Sequence, residues 1–387
     1  MVRSSVGIVG GGQLARMTAE AGASMNVAIV VLERQAQSPA GQIVGSKNEI
    51  VGDWRDFAIL QSLASRVDVV TLENEFVDAD QLSILESAGH RVLPTPRSIA
   101  LVQDKLIQKE TLAAANVPIA PFRGVSNPDD AIRAAETLGW PLVLKTRRNG
   151  YDGYGNQTVH DAEELRIGWD RLTSGTSAGD SGGLLVEAFQ PFERELAVMV
   201  ARAVNGAVAI YPVADTVQKD HICHEVIVPS DAARDVTRQA ARIAQSAVEA
   251  IGLVGIVGVE LFALPDGQVL VNELAPRPHN SGHYTIEGCA TSQFENHLRA
   301  ILGLPLGLTK LVAPSVSMVN LLGNAEGIAN PSGLDVATSV PEAYLHLYGK
   351  RDVRPGRKMG HVTATGPTRA VALGRARQAA RAIGWPV

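Results

Sequence analysis

The residues best placed to do chemistry are two glutamates, Glu260 and Glu273, standing on either side of the dipeptide Asp266-Gly267. Asp-Gly between apolar runs favours a two-residue type I′ turn. Pro265 then faces Gln268, and the antiparallel register that follows sets Glu260 directly across from Glu273. Like charges facing each other across a sheet destabilise it, so the pair needs a cation between them. Carboxylate oxygens suit Mg²⁺, which takes one or two protein carboxylates and completes its shell with water and nucleotide phosphates. Asn272 offers a neutral oxygen beside them. A register slipped by one residue, or an arginine partner for Glu260, would instead leave both acids as ordinary structural charges.

Continuing from this hairpin, the run Asn272-Glu273-Leu274-Ala275-Pro276-Arg277-Pro278-His279-Asn280-Ser281-Gly282-His283 gathers a carboxylate, a guanidinium and two imidazoles. Loops of that polarity are where function concentrates. Arg277 presents a planar fork that matches a carboxylate or phosphate, which a lysine does not. His279 and His283 are only two candidate ligands, short of what a zinc site needs. Earlier in the chain, Lys145 ends the apolar run 141–144 and is followed by Gly150-Tyr151-Asp152-Gly153-Tyr154-Gly155-Asn156. Such a loop lets backbone N–H groups approach phosphate oxygens while a lysine supplies the point charge. Near the end, Lys350, Arg351, Arg354, Arg357 and Lys358 cluster in a chain that is acidic overall, either as a phosphate grip or as a solvated basic turn.

Elements must hold these groups in place. The opening reads as a β-α-β unit, with an apolar strand over 6–9, the turn Gly10-Gly11-Gly12, a helix over 13–22 and a second strand over 26–32. Alternation continues to a strand over 67–72 and breaks at Pro94 and Pro96. A helix starting near Ser98 opens a second region, with a strand over 141–145, the glycine-rich loop and a Gly/Ser-rich mobile connection over 173–183. A third begins with 184–187, turns at Asn205-Gly206, and runs through a helix over 231–251 into the Asp266-Gly267 hairpin. The basic tail 369–383 reads as a helix with a solvated face.

Composition bounds the remaining possibilities. A chain of 387 residues is too long for one ordinary core and implies two or three domains. With 45% hydrophobic and 19% charged residues it can build real cores, and its net charge of -5 argues against nucleic acid as a partner. Cys223 and Cys289 show no paired spacing, so they read as inert thiols of a reducing compartment. The first residues lack an apolar signal core, and no run approaches the roughly 18 apolar residues of a membrane span. A cytoplasmic enzyme with no membrane partner is expected.

The run Asn272 to His283, taken with Gly150-Tyr151-Asp152-Gly153, resembles the 5-(carboxyamino)imidazole ribonucleotide synthase family of ATP-grasp enzymes. The likeness extends over nearly the whole chain: Gly10-Gly11-Gly12-Gln13-Leu14, Gln103-Asp104-Lys105, Lys145, Glu187 with Glu195, Glu260, and Arg354-Pro355-Gly356-Arg357-Lys358-Met359-Gly360-His361. It implies a mixed α/β and α+β ATP-grasp fold: a Rossmann-like domain over 1–97, a small lid over 98–183, a catalytic region over 184–310, and a C-terminal substrate-binding region over 311–387 packed with the catalytic one. It implies that Lys105 and Lys145 hold the ATP phosphates and that the loop Gly150, Tyr151, Asp152, Gly153, Gly155 and Asn156 closes over them. Glu187, Ala188, Phe189 and Gln190 would line the adenine edge, Glu195 would take the ribose hydroxyls, and Asn272, Glu273 and Glu260 would meet the nucleotide and Mg²⁺. Arg277 would grip bicarbonate and the carboxyphosphate made from it. Gln13, Glu73, Tyr151, Asp152, Lys350 and Arg357 would bind the aminoimidazole ribonucleotide, with Asp152 as candidate general base. A homodimer, and a downstream mutase that moves the carboxyl group from nitrogen to carbon, are implied in the same way.

Two positions depart from the family pattern. Tyr154 stands where a basic residue is usual, which either weakens ATP binding or shifts a charge-neutralising role toward Arg147 or Arg148, and Gln218 stands where a histidine is frequent, yet still offers a hydrogen bond to nucleotide. The rival reading is an NAD-dependent oxidoreductase, because Gly10-Gly11-Gly12 followed by Ala15 fits a dinucleotide turn and Glu33 lies where a ribose-binding acid would be. That fingerprint explains nothing beyond the first domain. Among ATP-grasp ligases, a formate-dependent phosphoribosylglycinamide transformylase and a biotin carboxylase share Glu273 and the lysines, so Tyr151-Asp152 and 354–361 carry the distinction.

Overall fold

The computed structural model describes residues 4–150, 155–174 and 183–385. The first apolar runs form four parallel strands, β1 (Ser5–Val9), β2 (Ala28–Glu33), β3 (Glu49–Val51) and β4 (Val69–Leu72), ordered β3-β2-β1-β4. β2 starts two residues later than the expected 26, because Asn26 takes a left-handed φ of 56° that cannot continue into a strand. Val6, Val9, Val31 and Leu32 are fully buried, as parallel strands covered on both faces require. The carboxyl ends of β1, β2 and β4 open onto one crevice, the place where such sheets take ligands.

A second, antiparallel sheet comprises β5 (Phe122–Val125), β6 (Leu142–Thr146), β7 (Asn156–Val159) and β8 (Leu184–Ala188) in the order β5-β8-β6-β7. β8 pairs with both β5 and β6. The expected lid boundary at 183 is therefore displaced, since it would cut an inner strand out of its own sheet.

The largest sheet runs β14-β13-β9-β11-β12-β15-β19-β17, with β10 paired to β9. Its strands are β9 (Arg194–Arg202), β10 (Val208–Ile210), β11 (Ala214–Lys219), β12 (Ile222–Val228), β13 (Gly255–Ala263), β14 (Val269–Ala275), β15 (Ser315–Leu322), β17 (Ala343–Leu347) and β19 (Lys358–Gly366), while β16 (Gly327–Ile328) and β18 (Asp352–Val353) pair with each other. The helix Arg234–Ile251 lays Ala240, Ile243, Ala244, Ala247, Val248 and Ile251 on this sheet at the spacing of one helical face. The C-terminal segment is thus an extension of the catalytic sheet. Its basic helix, Arg369–Ala382, is not the solvated face expected: Ala372, Ala376 and Ala379 are buried, and Arg369, Arg375 and Arg377 pair with Asp215, Glu342 and Glu225.

Both Asx-Gly hairpins close differently from the expected two-residue turn. Leu264 N donates to Gln268 O and Gly267 N to Leu264 O, both at 2.9 Å, leaving the three-residue loop Pro265-Asp266-Gly267. Only Gly267, at φ +84°, is left-handed, so the turn is not type I′, and Asp266 Oδ1 accepts from Gln268 N at 3.0 Å instead. Val204-Asn205-Gly206 repeats the arrangement. The extra loop residue offsets the ladder, pairing Leu261 with Val271, and by itself would bring Asn272 opposite Glu260. A bulge beyond Leu261 removes the offset and pairs Glu260 with Glu273. The expected pairing is present, reached through two irregularities that cancel.

Candidate active site

The bulge makes the site. An unbroken strand would send Asn272 and Glu273 to opposite faces, whereas a bulge turns consecutive residues toward one side. Asn272 and Glu273 both line a cleft of about 2410 Å³, together with Glu260. Burial pushes the Glu260 carboxyl well above the usual carboxylate range, and the facing Glu273 pushes it further. Burial acts on Glu273 in the same sense, but the ammonium of Lys105 outweighs it and holds that carboxyl low. Lys105 makes a short ion pair with Glu273. Two acids of opposite protonation tendency thus share one patch with the Lys105 ammonium.

Lys145 donates to Glu187 at 3.1 Å and to Asn272 Oδ1 at 3.3 Å. The other Glu187 oxygen faces Lys109 at 3.2 Å, an ion pair without hydrogen-bond geometry. The Glu187 side chain is only 5% exposed, its carboxylate held between the two lysines, and the residue borders the cleft. Ala188, Phe189 and Gln190 do line the cleft, and Phe192 stacks on Phe262 with centroids 4.4 Å apart to form an apolar wall beside them. Glu195 is pushed up to about 7 by burial, against a hydrogen bond from Gln218, and both residues line the cleft. At the lid loop, Thr146 N donates to Gly155 O at 2.7 Å, and a Cβ on Gly155 would meet Thr146 Oγ1 at 2.4 Å. Gly150, Gly155 and Asn156 border the cleft. Tyr151, Asp152, Gly153 and Tyr154 lie outside the described residues.

The junction Gln103-Asp104-Lys105 divides its labour. Gln103 donates to the backbone carbonyls of Glu75 at 2.8 Å and Val77 at 2.6 Å. Asp104 caps the helix Lys105–Ala114 and receives both Arg147 Nε (2.9 Å) and Arg147 Nη2 (2.6 Å). Arg147 is committed there, whereas Arg148 lies 3.6 Å from the same carboxylate and also lines the cleft. Arg277 is held by Glu75, Nε to Oε2 at 2.5 Å and Nη2 to Oε1 at 3.0 Å. His279 lies 3.5 Å from Glu260 and donates to or accepts from Ser281 at 2.7 Å; burial, then Arg277, push it down to about 4, so it is neutral at pH 7. His283 is fully buried against Gln293, which also bonds the His279 backbone.

At the far end, Lys350 Nζ donates to Lys358 O at 2.6 Å, and burial brings the ammonium down to about 7. Arg357 stands beside it on the same cleft wall, bonded to Asp352 O at 2.5 Å. Gln13 lines this end. Glu73 does as well, but its oxygens already accept from Gly12 N at 2.6 Å and Leu14 N at 3.1 Å. Glu33 likewise accepts from Gly11 N at 2.9 Å. Two carboxylates therefore occupy the helix N-terminus where a dinucleotide pyrophosphate would have to sit, which sets the oxidoreductase reading aside. Lys109 and Glu75 hold site residues without having been singled out from the sequence, where the one local signal was Lys109 standing one helical turn from Lys105, and Gln103, named only within its motif, pins the Glu75 segment.

Three domain families match in chain order: the ribonucleotide synthetase preATP-grasp domain over residues 3–103, the ATP-grasp domain over 110–294, and the phosphoribosylaminoimidazole carboxylase C-terminal domain over 316–375. An N5-carboxyaminoimidazole ribonucleotide synthase of Synechococcus elongatus is 42% identical over 359 residues, 92% of this chain and 88% of that one. The chain belongs to the N5-carboxyaminoimidazole ribonucleotide synthase family. A phosphoribosylaminoimidazole carboxylase of Ogataea methanolica shares 41% identity over 94% of this chain, which spans only 66% of that longer protein. Within the family, the Aspergillus clavatus N5-carboxyaminoimidazole synthase in complex with ADP and 5-aminoimidazole ribonucleotide superposes with a TM-score of 0.87 at 35% identity, covering 97% of this chain and 98% of that one.

Proposed function

We propose that the protein uses ATP and bicarbonate to carboxylate the exocyclic amine of 5-aminoimidazole ribonucleotide, giving the N5-carboxyamino ribonucleotide, ADP and phosphate, in purine biosynthesis. The observation that carries this is one continuous cleft with the Glu260/Glu273 pair and Lys105 and Lys145 at one end, Lys350 and Arg357 at the other, and Arg277 bordering it with them. The Aspergillus relative is in complex with ADP and 5-aminoimidazole ribonucleotide, which supports the same two substrates here.

A bicarbonate oxygen attacks the γ-phosphorus of ATP, ADP leaves, and carboxyphosphate results. The amine then attacks its carbon and inorganic phosphate departs. Lys105 and Lys145 hold the phosphates, and phosphoryl transfer gains most from such positioning and charge neutralisation. The facing carboxylates of Glu260 and Glu273 fit Mg²⁺ and would hold it, and the ion would supply charge neutralisation for the phosphates. Arg277 orients bicarbonate and carboxyphosphate through its planar fork. Asp152 takes the amine proton and Tyr151 contacts the imidazole. Glu195 and Gln218 receive the nucleotide ribose, and Lys350 and Arg357 the ribonucleotide phosphate. Carboxyphosphate hydrolyses readily, so the glycine-rich loop earns its place by excluding water.

The deciding assay compares ADP release and acid-labile fixation of radiolabelled bicarbonate across substrates: aminoimidazole ribonucleotide, glycinamide ribonucleotide with formate, and biotin. Turnover with either of the latter pairs and none with the first would overturn the proposal. Asp152→Asn should retain ATP binding and lose most carboxylation; normal turnover refutes the general-base role. Sedimentation velocity should return a homodimer, the family's two-fold form. Among the described residues no helix is long and apolar enough to cross a membrane, in keeping with a cytoplasmic setting.

A further inference from the structure

We infer that Glu75, which no part of the proposed mechanism uses, is a positioning residue that holds Arg277 in register for bicarbonate. The inference rests on the function proposed above. Glu75 follows β4 in the N-terminal domain, and Arg277 follows β14 in the catalytic sheet. Their contact is two-pronged, with Nε on one carboxylate oxygen and Nη2 on the other. A third bond, Nη1 to Pro278 O at 3.3 Å, completes the hold on the guanidinium plane. Both side chains are mostly covered, 20% and 24% exposed, so the pair is shielded from solvent competition.

Two features make this a positioning device rather than a stray ion pair. The first is rivalry: Glu73 and Glu273 also attract Arg277, and a guanidinium released from Glu75 would be drawn to one of them. Toward Glu273 it would neutralise a carboxylate the metal needs, and toward Glu73 it would crowd the ribonucleotide end. The second is support, because Gln103 pins the backbone carbonyls on both sides of Phe76, so the Glu75 side chain starts from a fixed point. The same junction carries Lys105 two residues later. Phosphate lysine and bicarbonate arginine are therefore referenced to one short stretch of chain.

Glu75→Gln tests it in the full-length protein. The amide keeps the shape but presents a donor where the second guanidinium bond needs an acceptor. Bicarbonate-dependent ADP formation should fall about tenfold to a hundredfold in kcat/KM for bicarbonate, the scale of a misplaced catalytic group. KM for ATP should stay unchanged, which a merely structural lesion would not allow. The decisive comparison is Glu75→Gln in an Arg277→Lys background: if Glu75 acts only through the arginine fork, the double variant is no slower than Arg277→Lys alone. Should Glu75→Gln fail to fold, Glu75→Asp replaces it, since the pinned backbone stops the shorter acid from restoring both bonds and a partial loss is expected. Wild-type rates in these single variants, or losses that multiply in the double variant, overturn the inference. Absence of bicarbonate-dependent turnover in the wild type sinks the underlying function as well.

Discussion

At the residue scale the site depends on which charges are already spent. Glu260 and Glu273 face each other, and only Glu273 is held ionised by a neighbouring lysine. Glu273→Gln should therefore reduce ADP formation by at least about a hundredfold, a typical loss for removing a group that stabilises transition-state charge; comparable rates in a steady-state assay would count against the metal role. Lys109 and Lys145 share one nearly dry carboxylate, so removing Glu187 would leave two buried ammoniums without their counter-charge. Glu187→Gln should cost about 3–5 kcal/mol of unfolding free energy, measured by urea titration. Lys350 supplies a pH signature: below about 7 its ammonium is charged, and above that value it is progressively neutral until phosphate binds. KM for the ribonucleotide should rise as pH climbs through this range while KM for ATP does not. Lys350→Arg, which keeps its charge throughout, should flatten the profile.

At the element scale, the turn and the bulge explain what the sequence disclosed and what it hid. Alternating apolar residues and Asp-Gly made the β13–β14 hairpin and its facing acids legible. The true loop length and the bulge at Asn272 were not, because each depends on whether Asp266 or Gly267 takes the left-handed conformation and on what Asn272 meets across the cleft. β8 was legible as a strand, though not as the partner of both β5 and β6, since its pairing residues are far away in the chain. The alanines of the last helix were similarly masked by their arginine neighbours. Gly267 offers a clean test: nothing lies within 4 Å of an added Cβ, so Gly267→Ala should cost only the backbone strain of φ +84°, about 1 kcal/mol. Denaturation midpoints should shift while KM values hold.

At the scale of the whole molecule, the cleft is lined from four sheets that do not share strands. A ligand that fits only the folded cleft stabilises it by mass action, by about 2.7 kcal/mol at a hundredfold excess over Kd. ATP with Mg²⁺ should raise the melting temperature, and NADH should leave it unchanged; a shift with NADH alone would reopen the oxidoreductase reading. The largest sheet carries both β13–β14 and β19, and so ties Glu260 and Glu273 to the strand from which Lys358 and its neighbours project. On the function proposed above, the two ends of the reaction hang from a single hydrogen-bonded plate. The span between the proposed phosphate-transfer end and the proposed ribonucleotide end would then act as a fixed gauge, and a substrate whose amine stands nearer to or farther from its own phosphate would be measured and refused by it.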